Sequence, residues 1–337
     1  MSPATAAATT DATPTPTAEL RHVLENAKVS DMELPSKEVV EVTVDMTPVE
    51  AAKQLWSHDV RGAPVWDEKR QKYVGFFDMR DLLSTVVASH KEGQDKTGLA
   101  QEDVSWWSSK QSKPSSFSVT YLSARNAFVS LTQDATLKDV CDTLIAKQCH
   151  RVPIVDANTQ RCIRILSQSA LVAFLAQHAA QTDQLKHKME ETLDAAGFPY
   201  RKDVVTATDT TQAYEVFELM DSHRLSGIAI VDAEDGAIVG NTSASDIKMA
   251  VAVEEGSLAD LNLTIMSYLA AVRQEEHLKE AKYPSSHVKT TSTVGHVIRL
   301  LAKTGYHRVF VVDSELKPVG VISVTDIVKF VMKHHSS

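Results

Sequence analysis

Cysteine is scarce in this 337-residue chain: Cys141, Cys149 and Cys162 are an odd number at no metal-ligand spacing. A disulfide framework is therefore not expected, and buried thiols in a reducing compartment are. Glycine is scarce as well, with 12 residues and no glycine-rich cradle. No stretch resembles a Walker phosphate loop, a zinc-protease motif or a nucleophile elbow. No apolar run is long enough to cross a bilayer, so no membrane partner is expected. Positive charge is outnumbered, 35 Lys and Arg against 44 Asp and Glu. The resulting net charge of −9 argues against a nucleic-acid or acidic-membrane surface, and any anion site must be locally concentrated.

What is present is a 43% apolar fraction, enough to bury a sizeable core in about two domains. Residues 1–28 open with Ala, Thr and Pro and carry no basic residue before Arg21. They are expected to form a disordered tail, neither a secretory signal nor a transit peptide.

The remainder repeats itself four times. Short strands ending in Asp occur as APVWD at 63–67, VPIVD at 152–156, IAIVD at 228–232 and VFVVD at 309–313. Each is followed by a polar turn and a second strand, in YVGFFDMRDLL, CIRILSQSALV, AIVGNTSASDIKM and KPVGVISVTDIVKF. Amphipathic helices precede each pair, as in TPVEAAKQLWSH, where Thr47 and Glu50 have capping-box spacing and Pro48 suits the first helical turn. A short extended piece such as VVEVTVDMT or FVSLTQDAT comes before that helix, and a further helix follows each second strand. The unit reads strand, helix, strand, strand, helix. One such unit cannot cover both faces of its small sheet, so units must pack in pairs.

The expected division is unit one at 29–90, an insertion at 91–124, unit two at 125–180, a polar linker at 181–199, unit three at 200–255, a helical connection at 256–286 and unit four at 287–335. Trp106 and Trp107 in the insertion are read as anchors for that loop.

Two recurrent features bear on function. A carboxylate opens the second helix at Asp81, Asp246 and Asp326, whereas Ala170 holds that register in unit two. Such a carboxylate serves a helix start, with Thr325 as a cap, or accepts hydrogen bonds from a diol. The pairs His150–Arg151 and His307–Arg308 stand at the same distance from Asp156 and Asp313. They are either solvated connections or phosphate donors. His223–Arg224 lies three residues farther from its strand-ending Asp.

These units, with VRGAPVWDEKRQKYVGFFDMRD, CHRVPIVD, SHRLSGIAIVD and YHRVFVVD, resemble the CBS domain, whose tandem pairs form Bateman modules that bind adenosine-containing ligands. Four of them resemble the gamma subunits of AMP-activated protein kinases. The resemblance implies an α/β fold of two Bateman modules forming a disc, and a non-catalytic sensor of AMP, ADP and ATP with kinase catalytic and scaffold subunits as partners, in the cytoplasm or nucleus. The alternative is a stand-alone CBS ligand-binding or scaffold protein. Carried over, Asp81, Asp246 and Asp326 hold ribose, and Arg61, His150, Arg151, His307 and Arg308 hold phosphate. Ser226, Gly227, Ser243, Ser245, Ser323 and Thr325 line the pockets. Arg80, in place of a threonine, either strengthens phosphate binding or obstructs unit one. Unit two is expected to be vacant. No cofactor or metal is implied.

Overall fold

A computed structural model describes residues 22–32, 39–96, 118–179, 189–248, 250, 261–276 and 287–332. Trp106, Trp107 and most of the insertion, like residues 1–21, 180–188 and 277–286, lie outside the described residues.

Each unit is built on one hairpin. Unit one has β1 (Val42–Thr43), β2 (Gly62–Asp67) and β3 (Lys72–Asp78); unit two has β4 (Arg151–Val155) and β5 (Cys162–Ser167). Unit three has β6 (Thr206–Thr208), β7 (Gly227–Val231) and β8 (Ile238–Ser243); unit four has β9 (His287–Lys289), β10 (Arg308–Val312) and β11 (Pro318–Ser323). The central strand of each three-stranded sheet pairs parallel with the first strand and antiparallel with the third.

The repeated aspartate at the end of the central strand is a turn device. Asp67, Asp156, Asp232 and Asp313 each accept two backbone N–H groups of the following turn at Oδ1. The turn closes on a left-handed residue, Gln71, Gln160, Gly236 or Leu316. The first helices begin as their sequence predicts: Thr47 and Glu50 cap each other reciprocally, as do Thr136 and Asp139.

Packing closes the four units into a ring. The helices of units one and three share one core, around Leu55, Leu82, Phe217 and Tyr268, and those of units two and four share another, around Leu144, Leu171, Ile298 and Ile327. The sheets of units three and four meet through Ala229, Ile238, Phe310, Val312 and Val321. Units one and two meet sheet to sheet, with Tyr73 stacked on Phe128 at 4.4 Å and the Arg161 guanidinium 4.0 Å over Trp66. Arg161 also pairs with Glu41 at 2.6 Å. Two sheet-joined modules thus dock through their helices.

Three expectations need correction. Residues 22–26 are helical rather than tail, and Leu24 is fully buried in the core of units two and four because Ala27 O accepts from Leu137 N and holds the segment down. Part of the linker is core: Met189, Leu193 and Phe198 are buried there, the apolar residues being too sparse in MEETLDAAGF to give a clear period. FVSLTQDAT forms no named strand; Leu131 alone bridges Ile154, so the sheet of unit two has two strands. After β8 the described residues form a 3-10 turn, Ala244–Lys248, and Ala250 is helical; the rest of the expected helix lies outside the described residues.

Candidate functional site

At the centre of the ring lies a cavity of about 610 Å³ walled by all four units. Six arginines (Arg61, Arg80, Arg151, Arg201, Arg224, Arg308) and two lysines (Lys248, Lys329) face four aspartates (Asp59, Asp78, Asp246, Asp326) across it. In a chain of net charge −9, this concentration of cations marks an anion site.

One backbone bond recurs in every unit and aims the wall residues. The first N–H of the second helix or turn donates to the residue just before the central strand: Met79 to Arg61, Gln168 to His150, Ala244 to Ser226 and Val324 to His307. The next position alternates between glycine and arginine: Gly62, Arg151, Gly227, Arg308. The alternation has a steric cause. A Cβ at Gly62 would lie 3.1 Å from Arg151 Nη1, and one at Gly227 would lie 3.2 Å from Arg308 Nη1. Each odd unit leaves room for the arginine of the even unit in its module. Arg308 fills that room by donating to Gly227 O and Ser226 Oγ.

The cations strain against one another. Arg61 donates to His307 Nε2 at 2.8 Å, so His307 is neutral and accepts. Burial, then Arg61, Arg151 and Arg308, push its imidazole down to about 2. Burial and the neighbouring Arg201 and Arg80 push Arg308 down to about 10, against the pull of Asp326. His150 is lowered too, by burial and Arg151. Cations outnumber carboxylates in this hub, and an anion would relieve it.

The second-helix carboxylates divide into two kinds. Asp326 Oδ2 accepts from Ser323 N at 2.8 Å and from Ser323 Oγ at 2.7 Å, while Asp326 N donates back to Ser323 Oγ. This is a reciprocal cap with Ser323, not Thr325, at its head; Thr325 is one turn position too late to cap, and its hydroxyl donates to Gln168 Oε1 at 2.8 Å instead. Asp246 Oδ2 is held the same way by Ser243 N at 2.7 Å. Both aspartates also reach the cavity wall.

Asp81 does not. It is 2% exposed and accepts from Asp78 N and from Asn126 Nδ2 at 3.3 Å. Residues 119–126 lie over β3, with Asn126 O bonded to Phe76 N and Ser123 O only 2.1 Å from where a Cβ on Gly75 would stand. Burial and the nearby Asp78 push the Asp81 carboxyl well up. This cover comes from residues 119–126, where the insertion runs into unit two, and no carboxylate-covering segment was read there from the sequence. Gly227 is likewise no wall residue; it is the seat of Arg308. Arg61, Arg80, His150, Arg151, Ser226, Ser243, Ser245, Asp246, His307, Arg308, Ser323, Thr325 and Asp326 all line the cavity.

His223 ends its helix and Arg224 is the left-handed residue after it, at φ +53, in register with Asp59, Gln148 and Gly305. The repeat thus places Ser226–Gly227, not His223–Arg224, opposite His307–Arg308. Arg201 and Gln168 were not foreseen. Arg201 comes from a connection without repeat register, whereas Gln168 stood in register with Val324 and was the only polar residue there. Among the described residues no cluster fits a metal ion, and no helix is long and apolar enough to cross a membrane.

The family model described as the CBS domain matches residues 29–88, 122–177, 198–253 and 283–333. The chain is 23% identical over 303 residues to the 5'-AMP-activated protein kinase subunit gamma of Dictyostelium discoideum, covering 88% of this chain and 50% of that one. It is 24% identical to subunit gamma-3 of Homo sapiens, over 82% of this chain and 53% of the relative. Protein SDS23 of Eremothecium gossypii is 25% identical, with 82% and 57% covered. The chain therefore spans about half the length of these curated relatives. Among solved structures, protein MJ1225 from Methanocaldococcus jannaschii superposes with a TM-score of 0.62 at 16% identity, covering 88% of this chain and 97% of that one.

Proposed function

The chain belongs to the CBS domain family, and from that premise we propose that its central cavity binds adenine nucleotides and that it is a non-catalytic regulatory subunit of an AMP-activated type of protein kinase. The observation that carries this reading is the pairing, on one wall, of an acceptor edge at Asp326 with a crowded cationic hub at Arg308, His307, Arg61 and Arg151. A nucleoside phosphate has the matching polarity. Its vicinal diol donates to the carboxylate and its phosphates accept from guanidinium and imidazole.

In this reading Asp246 and Asp326 hold ribose, one nucleotide for each. Arg61, Arg80, His150, Arg151, His307 and Arg308 hold phosphate, with Ser226, Ser243, Ser245, Ser323 and Thr325 around them. Asp81, shut away under Asn126, holds none, and Ala170 leaves unit two without a ribose acceptor. AMP, ADP and ATP compete for one hub and differ in the charge they bring to it. A ligand shifts a partner-bound state only by its difference in affinity between states, so the number of phosphates is the signal and the ring is its reader.

The likeness to kinase gamma subunits supports kinase catalytic and scaffold subunits as the partners. The comparable likeness to Protein SDS23 supports the second reading, a stand-alone CBS protein. Calorimetry of the full chain with AMP, ADP and ATP tests the ligand; failure of all three to bind refutes it. Capture of the tagged chain from its own cells, with partners identified by mass spectrometry, tests the kinase. Recovery of catalytic and scaffold subunits is expected, and nucleotide binding without them would favour the stand-alone reading.

A further inference from the structure

Gln168 begins the second helix of unit two and is 3% exposed. Its backbone N–H is committed to His150 O at 3.1 Å, and its side-chain Nε2 donates to Cys149 O at 3.1 Å. These two bonds fix the carboxamide, because a flipped amide would set its oxygen against the Cys149 carbonyl. Oε1 then faces His150 Nδ1 of its own unit, at 3.4 Å, and the other module, where the Thr325 hydroxyl lies at 2.8 Å. A carboxamide oxygen only accepts, so Thr325 spends its single hydrogen on Gln168 and presents lone pairs alone to the cavity.

Beside Thr325, every hydrogen bond that Asp326 accepts among the described residues falls on Oδ2. Oδ1 is another acceptor without a hydrogen to offer. Both residues line the cavity, and two such acceptors repel an anionic oxygen and suit a ligand with two adjacent O–H donors. We infer that Gln168 is a positioning residue that acts across the module boundary to make Thr325 an acceptor, so that unit four selects the diol of its ligand and turns the phosphate toward Arg308. This assignment rests on the nucleotide reading of the cavity. It gives unit two, which lacks a carboxylate of its own, a task in the site of unit four. Unit one cannot do the same for unit three, because Met79 holds the register of Gln168 and carries no carboxamide.

The test compares AMP with 2'-deoxy-AMP and 3'-deoxy-AMP by calorimetry on the full chain. The wild-type chain is expected to prefer AMP, and Gln168→Leu to shrink that preference about three- to ten-fold, the worth of one neutral hydrogen bond. In a Thr325→Val chain, Gln168→Leu is expected to change the preference no further, which separates positioning from general loss of structure. Unchanged preference in Gln168→Leu, or the same change with Val at 325, would overturn the assignment while leaving nucleotide binding in place. Absence of AMP binding by the wild-type chain would overturn both.

Discussion

Asp326 has two jobs that a single substitution confounds and a pair of substitutions separates. Oδ2 closes the reciprocal cap with Ser323, and the carboxylate as a whole supplies charge to the cavity wall. Asp326→Ala removes both. Loss of a capping partner costs about 0.5–2 kcal/mol of stability. Loss of a charge-assisted hydrogen bond to ribose costs about 1.5–3 kcal/mol of binding, or roughly 10- to 150-fold in affinity. Asp326→Asn keeps an oxygen for Ser323 N–H and removes only the charge, so its melting temperature is expected to stay near wild type while AMP affinity still falls about ten-fold. Calorimetry with AMP and a thermal melt on the same samples give both numbers. One more variant serves as control: Asp81→Asn lies outside the cavity and is expected to leave AMP affinity unchanged. If Asp326→Asn binds AMP like wild type while Asp326→Ala merely melts earlier, the carboxylate is a helix cap and nothing more.

Arg308→Ala is expected to weaken AMP at least ten-fold and adenosine hardly at all, since only AMP brings a phosphate to the guanidinium; equal losses, measured by calorimetry, would mean the variant is misfolded. Filling the glycine seat should act through the same arginine: Gly62→Ala, by crowding Arg151 Nη1, is expected to cost about 1–3 kcal/mol of stability in denaturant melts and to weaken AMP more than adenosine. Asp81, its carboxyl pushed up by burial and Asp78, binds a proton more tightly folded than unfolded. Its contribution is therefore full below the ordinary carboxylate value of 3.8 and is lost as pH rises through the folded value. Asp81→Asn should accordingly raise the melting temperature at pH 8 relative to wild type and leave it unchanged near pH 3; the same offset at both pH values would contradict the burial argument. For His307 the sign reverses: its folded value is depressed to about 2, so stability is full above 6.5 and falls as pH drops below it. Phosphate should restore a proton to His307, so AMP titrations at pH 6, compared between buffers of different ionisation heat, are expected to show more proton uptake than the same titrations of His307→Phe.

The hairpin and its flanking helices were legible because they rest on local chemistry repeated four times: an aspartate that closes a turn, a threonine that caps a helix, apolar residues at helical spacing. The hub was legible through His150–Arg151 and His307–Arg308, since identical spacing from the turn aspartate places them identically in space. What failed had no internal copy. Asn126 covers Asp81 from the seam between the insertion and unit two, and Phe198 and Leu24 are buried by units far away in sequence. Repetition also misled at Asp81, where the same register as Asp326 suggested the same exposure. Register fixes the cap, which all three aspartates share; whether the carboxylate then meets a cavity or a covering loop is decided by the neighbour.

The glycine and arginine alternation explains why ligand charge should be felt by the whole ring. A guanidinium on an even unit packs against a glycine on its odd partner, so each module brings one unit's charge to the other unit's wall. Arg61 then reaches from unit one to His307 of unit four, and Thr325 of unit four to Gln168 of unit two. Both bonds cross between modules, and the first ends on a group that an incoming anion would perturb, by favouring a proton on His307. An anion seated on the hub would therefore alter a contact that joins the two halves. That is the physical requirement for occupancy to change how the modules dock, and it would be met even if one nucleotide were bound at a time.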